Sequence, residues 1–277
     1  MSPKRNYVGE APRSGILCAL CRSSTTLTKA HVPPRSAGNR SDVRRTRPYV
    51  EDSVMKQQSP LEGGMWLRTV CPSCNNLASR YDDSYGNFSQ RLSRHLPRHP
   101  LSLPTMNGVP PIALAPGRVA RSVLHGMVAI APSFSVVHPE FLDALLADGE
   151  GIALPEGLRL RVALTGDRYC RLASAYHMHR VLGERQDYEA FAEIYFRPLA
   201  WVLTGGRGTL GDSVFDSEGW GDATDWVRYS RESWRADLRD LVRRLPTVLH
   251  PTRRVDRDEW LGLGGPTSYV LEGFQPS

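Results

Sequence analysis

Two Cys-x-x-Cys pairs constrain this chain more than any other feature. They read Cys18-Ala19-Leu20-Cys21 and Cys71-Pro72-Ser73-Cys74. Each pair lets two sulfurs reach one ion from a single tight turn. Two pairs complete a tetrahedron closed to water, so the pattern predicts a structural Zn²⁺ held by Cys18, Cys21, Cys71 and Cys74. Forty-nine residues separate Cys21 from Cys71. That exceeds the common finger spacing and predicts a loop thrown out from a zinc-pinned base. The competing reading is a redox pair, which would open a helix within a thioredoxin-like βαβ pattern. No such pattern surrounds either pair.

Between the pairs, a β-permissive run from Thr25 ends in Lys29-Ala30-His31-Val32-Pro33-Pro34, and the second pair runs on as Asn75-Asn76 into a helical pattern. A zinc pair, a strand ending in His-Val-Pro-Pro and a Cys-x-x-Cys-Asn-Asn helix start resemble the HNH endonuclease superfamily. The resemblance covers residues 14–90. It implies the ββα-metal fold, a hairpin followed by a helix around one catalytic metal. It implies that His31 is the general base that activates water and that Asn75 binds the metal. The four cysteines match the optional structural zinc of that family. Two positions depart from the pattern. Ala30 stands where an acidic residue or histidine usually helps hold the metal, and no middle Asn is visible in Leu61–Leu67. Asp82 and Asp83 lie seven and eight residues after Asn75, about two helical turns, so one of them could fall on its face and replace the missing ligand. The alternative is that both are solvated.

Charge is uneven along the chain. Residues 1–100 hold 16 Lys/Arg against 7 Asp/Glu, whereas the remainder is mildly acidic, within a net charge of +6. A basic first third suits a polyanion-binding module joined to a second domain. Within the expected loop over residues 35–60, Arg35, Arg40, Arg44, Arg45 and Arg47 crowd into positions 35–47, opposed there by Asp42. Arginine offers phosphate a planar fork of donors, so this run predicts DNA contact; the alternative is a solvated face.

The apolar fraction of 40 % supports a sizeable core. No apolar run approaches twenty residues, and no apolar stretch follows the basic N-terminus, so neither a membrane span nor a secretory leader is expected. Four paired cysteines and one lone Cys170, read as a buried free thiol, fit a reducing cytoplasm.

Six prolines between 97 and 116 mark a boundary, giving an HNH-like domain over 1–100 and a second α+β domain over 101–277. In the second, Val119, Val123, Leu124, Met127 and Ile130 share a helical face. Pro139 opens a short helix that stops at Gly149. Runs at Leu158–Leu164, Arg168–Val181 and Ala190–Leu203 predict an antiparallel sheet, with Pro198 marking an edge or bulge. Ser230–Leu245 reads as a helix with Trp234 inward. His177 and His179 share a strand face and read as structural. The role of this domain stays open, including a homo-oligomer formed through it.

The expected fold class is therefore α+β, a zinc-pinned ββα-metal unit followed by an α+β domain with an antiparallel sheet. The expected activity is metal-dependent hydrolysis of DNA with Mg²⁺ or Mn²⁺. The alternatives are a catalytically degenerate nucleic-acid-binding module and a purely structural zinc domain.

Overall fold

A computed structural model describes residues 17–48, 55–95, 112–149, 151–165, 169–180, 186–206, 220–235 and 269–274. Strands β1 (Thr28–His31) and β4 (Trp66–Val70) pair antiparallel with His31 opposite Trp66, and helix α1 (Pro72–Ser93) follows β4. Helix α1 starts where its first residues dictate. Pro72 needs no amide partner at the first helical position, and Cys71 caps the helix by accepting from the Cys74 N–H at 3.5 Å. Tyr81, Tyr85, Phe88 and Leu92 form its buried side.

Helix α2 (Pro116–Ile130) is the centre of the molecule. Every residue in it except Arg118 is buried, so it must be covered on all sides. On one side lie α1, β1 and β4; on the other lies the large sheet. The Thr69 hydroxyl donates to Ala129 O at 2.8 Å and the Ser174 hydroxyl donates to Ile130 O at 3.0 Å, tying the helix end to both. Val119, Val123, Leu124, Met127 and Ile130 are each at most 2 % exposed, and burial of one such side chain contributes about 1.5–3 kcal/mol. Two short helices follow, α3 (Phe134–Val137) and α4 (Pro139–Ala147), the latter closed by Asp148 in the left-handed region.

Among the described residues the large sheet has eight strands. Besides β2 (Val43–Pro48) and β3 (Met55–Leu61), they are β5 (Arg159–Leu164), β6 (Tyr169–Arg180), β7 (Gln186–Phe196), β8 (Leu199–Gly206), β9 (Gly221–Asp222) and β10 (Tyr269–Phe274). Their order is β3-β2-β10-β6-β7-β8-β5-β9, and every pairing is antiparallel. The architecture is thus α+β with an antiparallel sheet. Among the described residues, the larger hydrophobic cluster runs from Cys18 through α2 to Val227, drawing side chains from both sides of the proline-rich stretch.

Three expectations change. Residues 43–48 and 55–61 are not a free loop but a hairpin at one end of the sheet, joined to β10. The run expected over 190–203 is two strands, β7 and β8, with Arg197-Pro198 as the turn, because proline cannot donate within a ladder. Residues 230–235 are not helical. Leu114 and Arg235 exchange backbone hydrogen bonds of 2.9 and 2.8 Å, and Trp234 is 66 % exposed. Residues 236–245 of that expected helix, and the side chains of His177 and His179, lie outside the described set.

Gly86 shows how closely the parts fit. A Cβ there would stand 2.5 Å from the Ser36 hydroxyl, in the 3-10 turn Arg35–Ala37 just after β1. Gly86→Ala should therefore push that turn off α1 and cost about 1–3 kcal/mol, as read by chemical denaturation. An unchanged midpoint would show that the turn yields freely.

Candidate metal centre and the adjoining cleft

The four cysteines meet. Their sulfurs all lie within 4.8 Å of one another, and Cys21 Sγ is 3.7 Å from Cys71 Sγ. A tetrahedron with zinc–sulfur bonds of about 2.3 Å has edges of about 3.8 Å, so the donor set fits such an ion. The backbone forms the turns this requires. Cys18 O accepts from Arg22 N at 2.9 Å, and the Cys71 amide donates to Cys18 Sγ at 3.3 Å. Cys18, Cys71 and Cys74 are buried and Cys21 is half-buried, so the centre is closed.

Electrostatics point the same way. The hydrogen bond from Cys74 holds the Cys18 thiol down to about 4. The same shared proton, with burial, pushes Cys74 up, and burial pushes Cys71 up. One negative sulfur thus suppresses ionisation of its neighbours, and a bound cation is what lets all four serve as thiolates.

Directly beside this centre lies a cleft of about 360 Å³. His31, Asn75, Asp82, Asp83 and Arg35 all line it. His31 closes β1, and its Nε2 is 3.2 Å from Gly63 O. A carbonyl only accepts, so Nε2 carries the proton and Nδ1 the lone pair. Burial holds its pKa below 6.5, with Arg35 and Lys29 adding to the effect, so the ring is neutral at pH 7. Asn75, in the first turn of α1, donates from Nδ2 to Lys29 O at 3.3 Å and so braces β1. Asp82 is pushed up to about 6 by burial and by Asp83, against a hydrogen bond from the Ser122 hydroxyl to Oδ1 at 3.4 Å.

The arginines divide. Arg35 is exposed at the cleft and Arg40 is exposed elsewhere. Arg44, Arg45 and Arg47 stand on β2, between β3 and β10, with side chains outside the described set. Strand alternation sets Arg45 and Arg47 on one face of β2.

Sequence reasoning missed two features. Asn39 is 1 % exposed and clamps the loop after β1. Its Nδ2 donates to Pro33 O at 2.6 Å and to Met65 O at 2.8 Å, and its Oδ1 accepts from Met65 N at 2.6 Å. It joins the end of β1 to the start of β4, and thereby positions His31. In sequence it was indistinguishable from a solvated turn residue after Gly38.

The second feature is the pair Ser122 and His125 on α2, which also line the cleft. His125 Nδ1 is 2.8 Å from Arg121 O, so Nδ1 carries the proton. Its Nε2 is buried without a hydrogen-bond partner among the protein atoms. Burial pushes its pKa down to about 4, and an unpaired buried acceptor costs about 1–3 kcal/mol. Two polar residues three apart inside an apolar helix were the available signal. The second part of the chain therefore supplies one wall of the cleft.

Among the described residues, the four cysteines are the one group of three or more His, Cys, Asp or Glu side chains whose ligand atoms could hold an ion. His31, Asp82 and Asp83 share the cleft without closing into another. Nor is any described helix long and apolar enough to cross a membrane.

Purified protein should carry one zinc per chain by elemental analysis. Cys71→Ser should lose it and unfold the region around β1, β4 and α1, because metal binding and folding are coupled in such a centre. Full retention of zinc and of the melting temperature would remove Cys71 from the ligand set. No protein-family model, curated protein or solved structure matches this chain.

Proposed function

We propose that this protein is an HNH-like, metal-dependent endonuclease that hydrolyses DNA phosphodiester bonds. The observation that carries the reading is the shared cleft. The β1–β4 strand pair and helix α1, joined at the four cysteines, carry His31 and Asn75 on the lining of one cleft, with Asp82 and Asp83 two turns further along α1.

In this reading His31 Nδ1 accepts a proton from the attacking water, and the Gly63 carbonyl steadies the imidazolium through Nε2–H. Lys29 and Arg35 line the same cleft and neutralise substrate phosphates. A Mg²⁺ or Mn²⁺ ion would supply positive charge to the scissile phosphate and the leaving oxygen. The oxygens of Asn75, Asp82 and Asp83 are the donors in the cleft that suit such an ion.

His31→Ala should lower cleavage by about 10²–10⁴-fold, with zinc content and DNA binding unchanged and no rescue by added metal. Asn75→Ala should instead raise the metal concentration required. The acid limb of the wild-type pH–rate profile should lie below pH 6.5, because burial lowers the His31 pKa and keeps the base neutral further into acid. A His31→Ala enzyme that still cleaves at the wild-type rate would end this assignment.

One observation favours a second reading, a nucleic-acid-binding module without catalysis. Ala30 leaves no ligand beside His31, and no three-ligand group forms in the cleft among the described residues. DNA binding retained without cleavage in Mg²⁺ or Mn²⁺ would select it.

Salt dependence locates the DNA. Each phosphate contact removed should reduce the log–log slope of affinity by about 0.9. Replacing Lys29 and Arg35 by Gln tests the cleft, and replacing Arg44, Arg45 and Arg47 tests strand β2. A slope unchanged by both sets would place the bound DNA elsewhere.

A further inference from the structure

His125 has no part in the mechanism above, yet its chemistry is that of a ligand. Its Nδ1–H is fixed on the Arg121 carbonyl at 2.8 Å, which directs the lone pair to Nε2. Metal-ligating histidines are held in this way, with the second ring nitrogen donating to a carbonyl. Nε2 itself is buried and unpartnered, in a side chain 2 % exposed that lines the cleft. The nearest hydroxyl in sequence on its helix face, Ser122, is engaged with Asp82 Oδ1 at 3.4 Å.

Two contacts tie the turn of α1 that carries Asp82 to the turn of α2 that carries His125. Tyr81, one residue before Asp82, stacks on the His125 ring with centroids 5.9 Å apart. Ser122 lies one helical turn from His125 and bonds the Asp82 carboxylate, whose second oxygen carries no hydrogen bond from Ser122. On the other side Gly126 meets Val32, the residue after His31, so closely that a Cβ would stand 2.9 Å from Val32 Cγ1. Helix α2 thus packs closely against the segment that directly follows the proposed base.

We infer that His125 Nε2 and the Asp82 carboxylate are the protein ligands of a divalent-cation site at the back of the cleft. This rests on the reading that the cleft handles a phosphodiester with a divalent ion, and it assigns the ligand that Ala30 does not supply to the second part of the chain. The Asn75 and Asp83 oxygens of the same cleft, water and phosphate oxygens complete the shell. A nitrogen donor beside a carboxylate favours Mn²⁺, Co²⁺ or Ni²⁺ over Mg²⁺, which takes oxygen donors.

The test uses the zinc-loaded full-length protein and Mn²⁺. Free Mn²⁺ is counted by electron paramagnetic resonance, and pulsed measurements detect nitrogen coupling to the bound ion. Wild type should bind Mn²⁺ more tightly than Mg²⁺ and show imidazole nitrogen coupling. His125→Gln should lose the coupling, and both His125→Gln and Asp82→Asn should weaken Mn²⁺ binding about tenfold or more, since even outer-shell changes have effects of that size. His31→Ala should retain both signals. Zinc content and a cooperative melt confirm folding of each variant; if His125→Gln does not fold, the wild-type coupling together with the Asp82→Asn affinity decides. No nitrogen coupling in wild type, coupling that persists in folded His125→Gln, or coupling lost in His31→Ala instead would each overturn the site. Cleavage is scored separately. DNA cleavage without nitrogen coupling rejects this site and leaves the nuclease reading intact, whereas coupling through His125 without any cleavage does the reverse.

Discussion

Four sulfurs within 4.8 Å of one another, in a closed setting, do not all ionise unless a cation joins them. The local geometry around the cleft depends on that constraint. The first pair sits just before β1, and the second pair is the N-terminal turn of α1. One centre therefore sets the distance from the end of a strand to the start of a helix, and with it the distance from His31 to Asn75. A pair of chain segments fifty residues apart would otherwise incur a loop-closure cost each time they met.

The cysteine centre orients the β1–β4 strand pair and α1, but α2 supports them. Its apolar residues fill the space between the β1–β4 strand pair and the large sheet. Small residues decide how near the layers come. Gly126 admits Val32, Gly86 admits Ser36, and Gly64 admits the Asn39 backbone. Each contact lies within the loop that follows His31 or beside it, so the precision of the cleft comes from backbones packed closely around it. Polar groups inside this packing are expensive, and most are paired. Asn39 meets three backbone groups, and Ser174 and Thr69 each reach a carbonyl of α2. The Nε2 of His125 and the hydroxyl of Tyr81, which stacks on it, are exceptions.

The basic character of the first hundred residues also takes a different form once folded. Arg44, Arg45 and Arg47 belong to a strand with neighbours on both edges, where Arg44 stands opposite Glu272 of β10. Lys29 and Arg35 are the basic residues that line the cleft. Charge density along the chain and charge density around a site are different quantities, because a strand sends alternate side chains to opposite faces.

The sequence by itself determined the features that depend on local chemistry. Cys-x-x-Cys turns, a proline at a helix start and apolar residues at helical spacing act within a few residues. Accordingly the cysteine centre, α1, α2, α4 and the antiparallel character of β5 to β8 were legible. Tertiary structure alone decided the rest. The hairpin of β2 and β3 has no apolar alternation to announce it, and it becomes sheet because β10, more than two hundred residues later, completes its hydrogen bonds. The Leu114–Arg235 bridge replaces the start of an expected helix, over residues 230–235, because its backbone partner lies far along the chain. Asn39, Ser122 and His125 gained their roles in the same way, since a side chain becomes a clamp or a ligand only when distant backbone is packed around it. Local periodicity carries no information about which distant segment will be there.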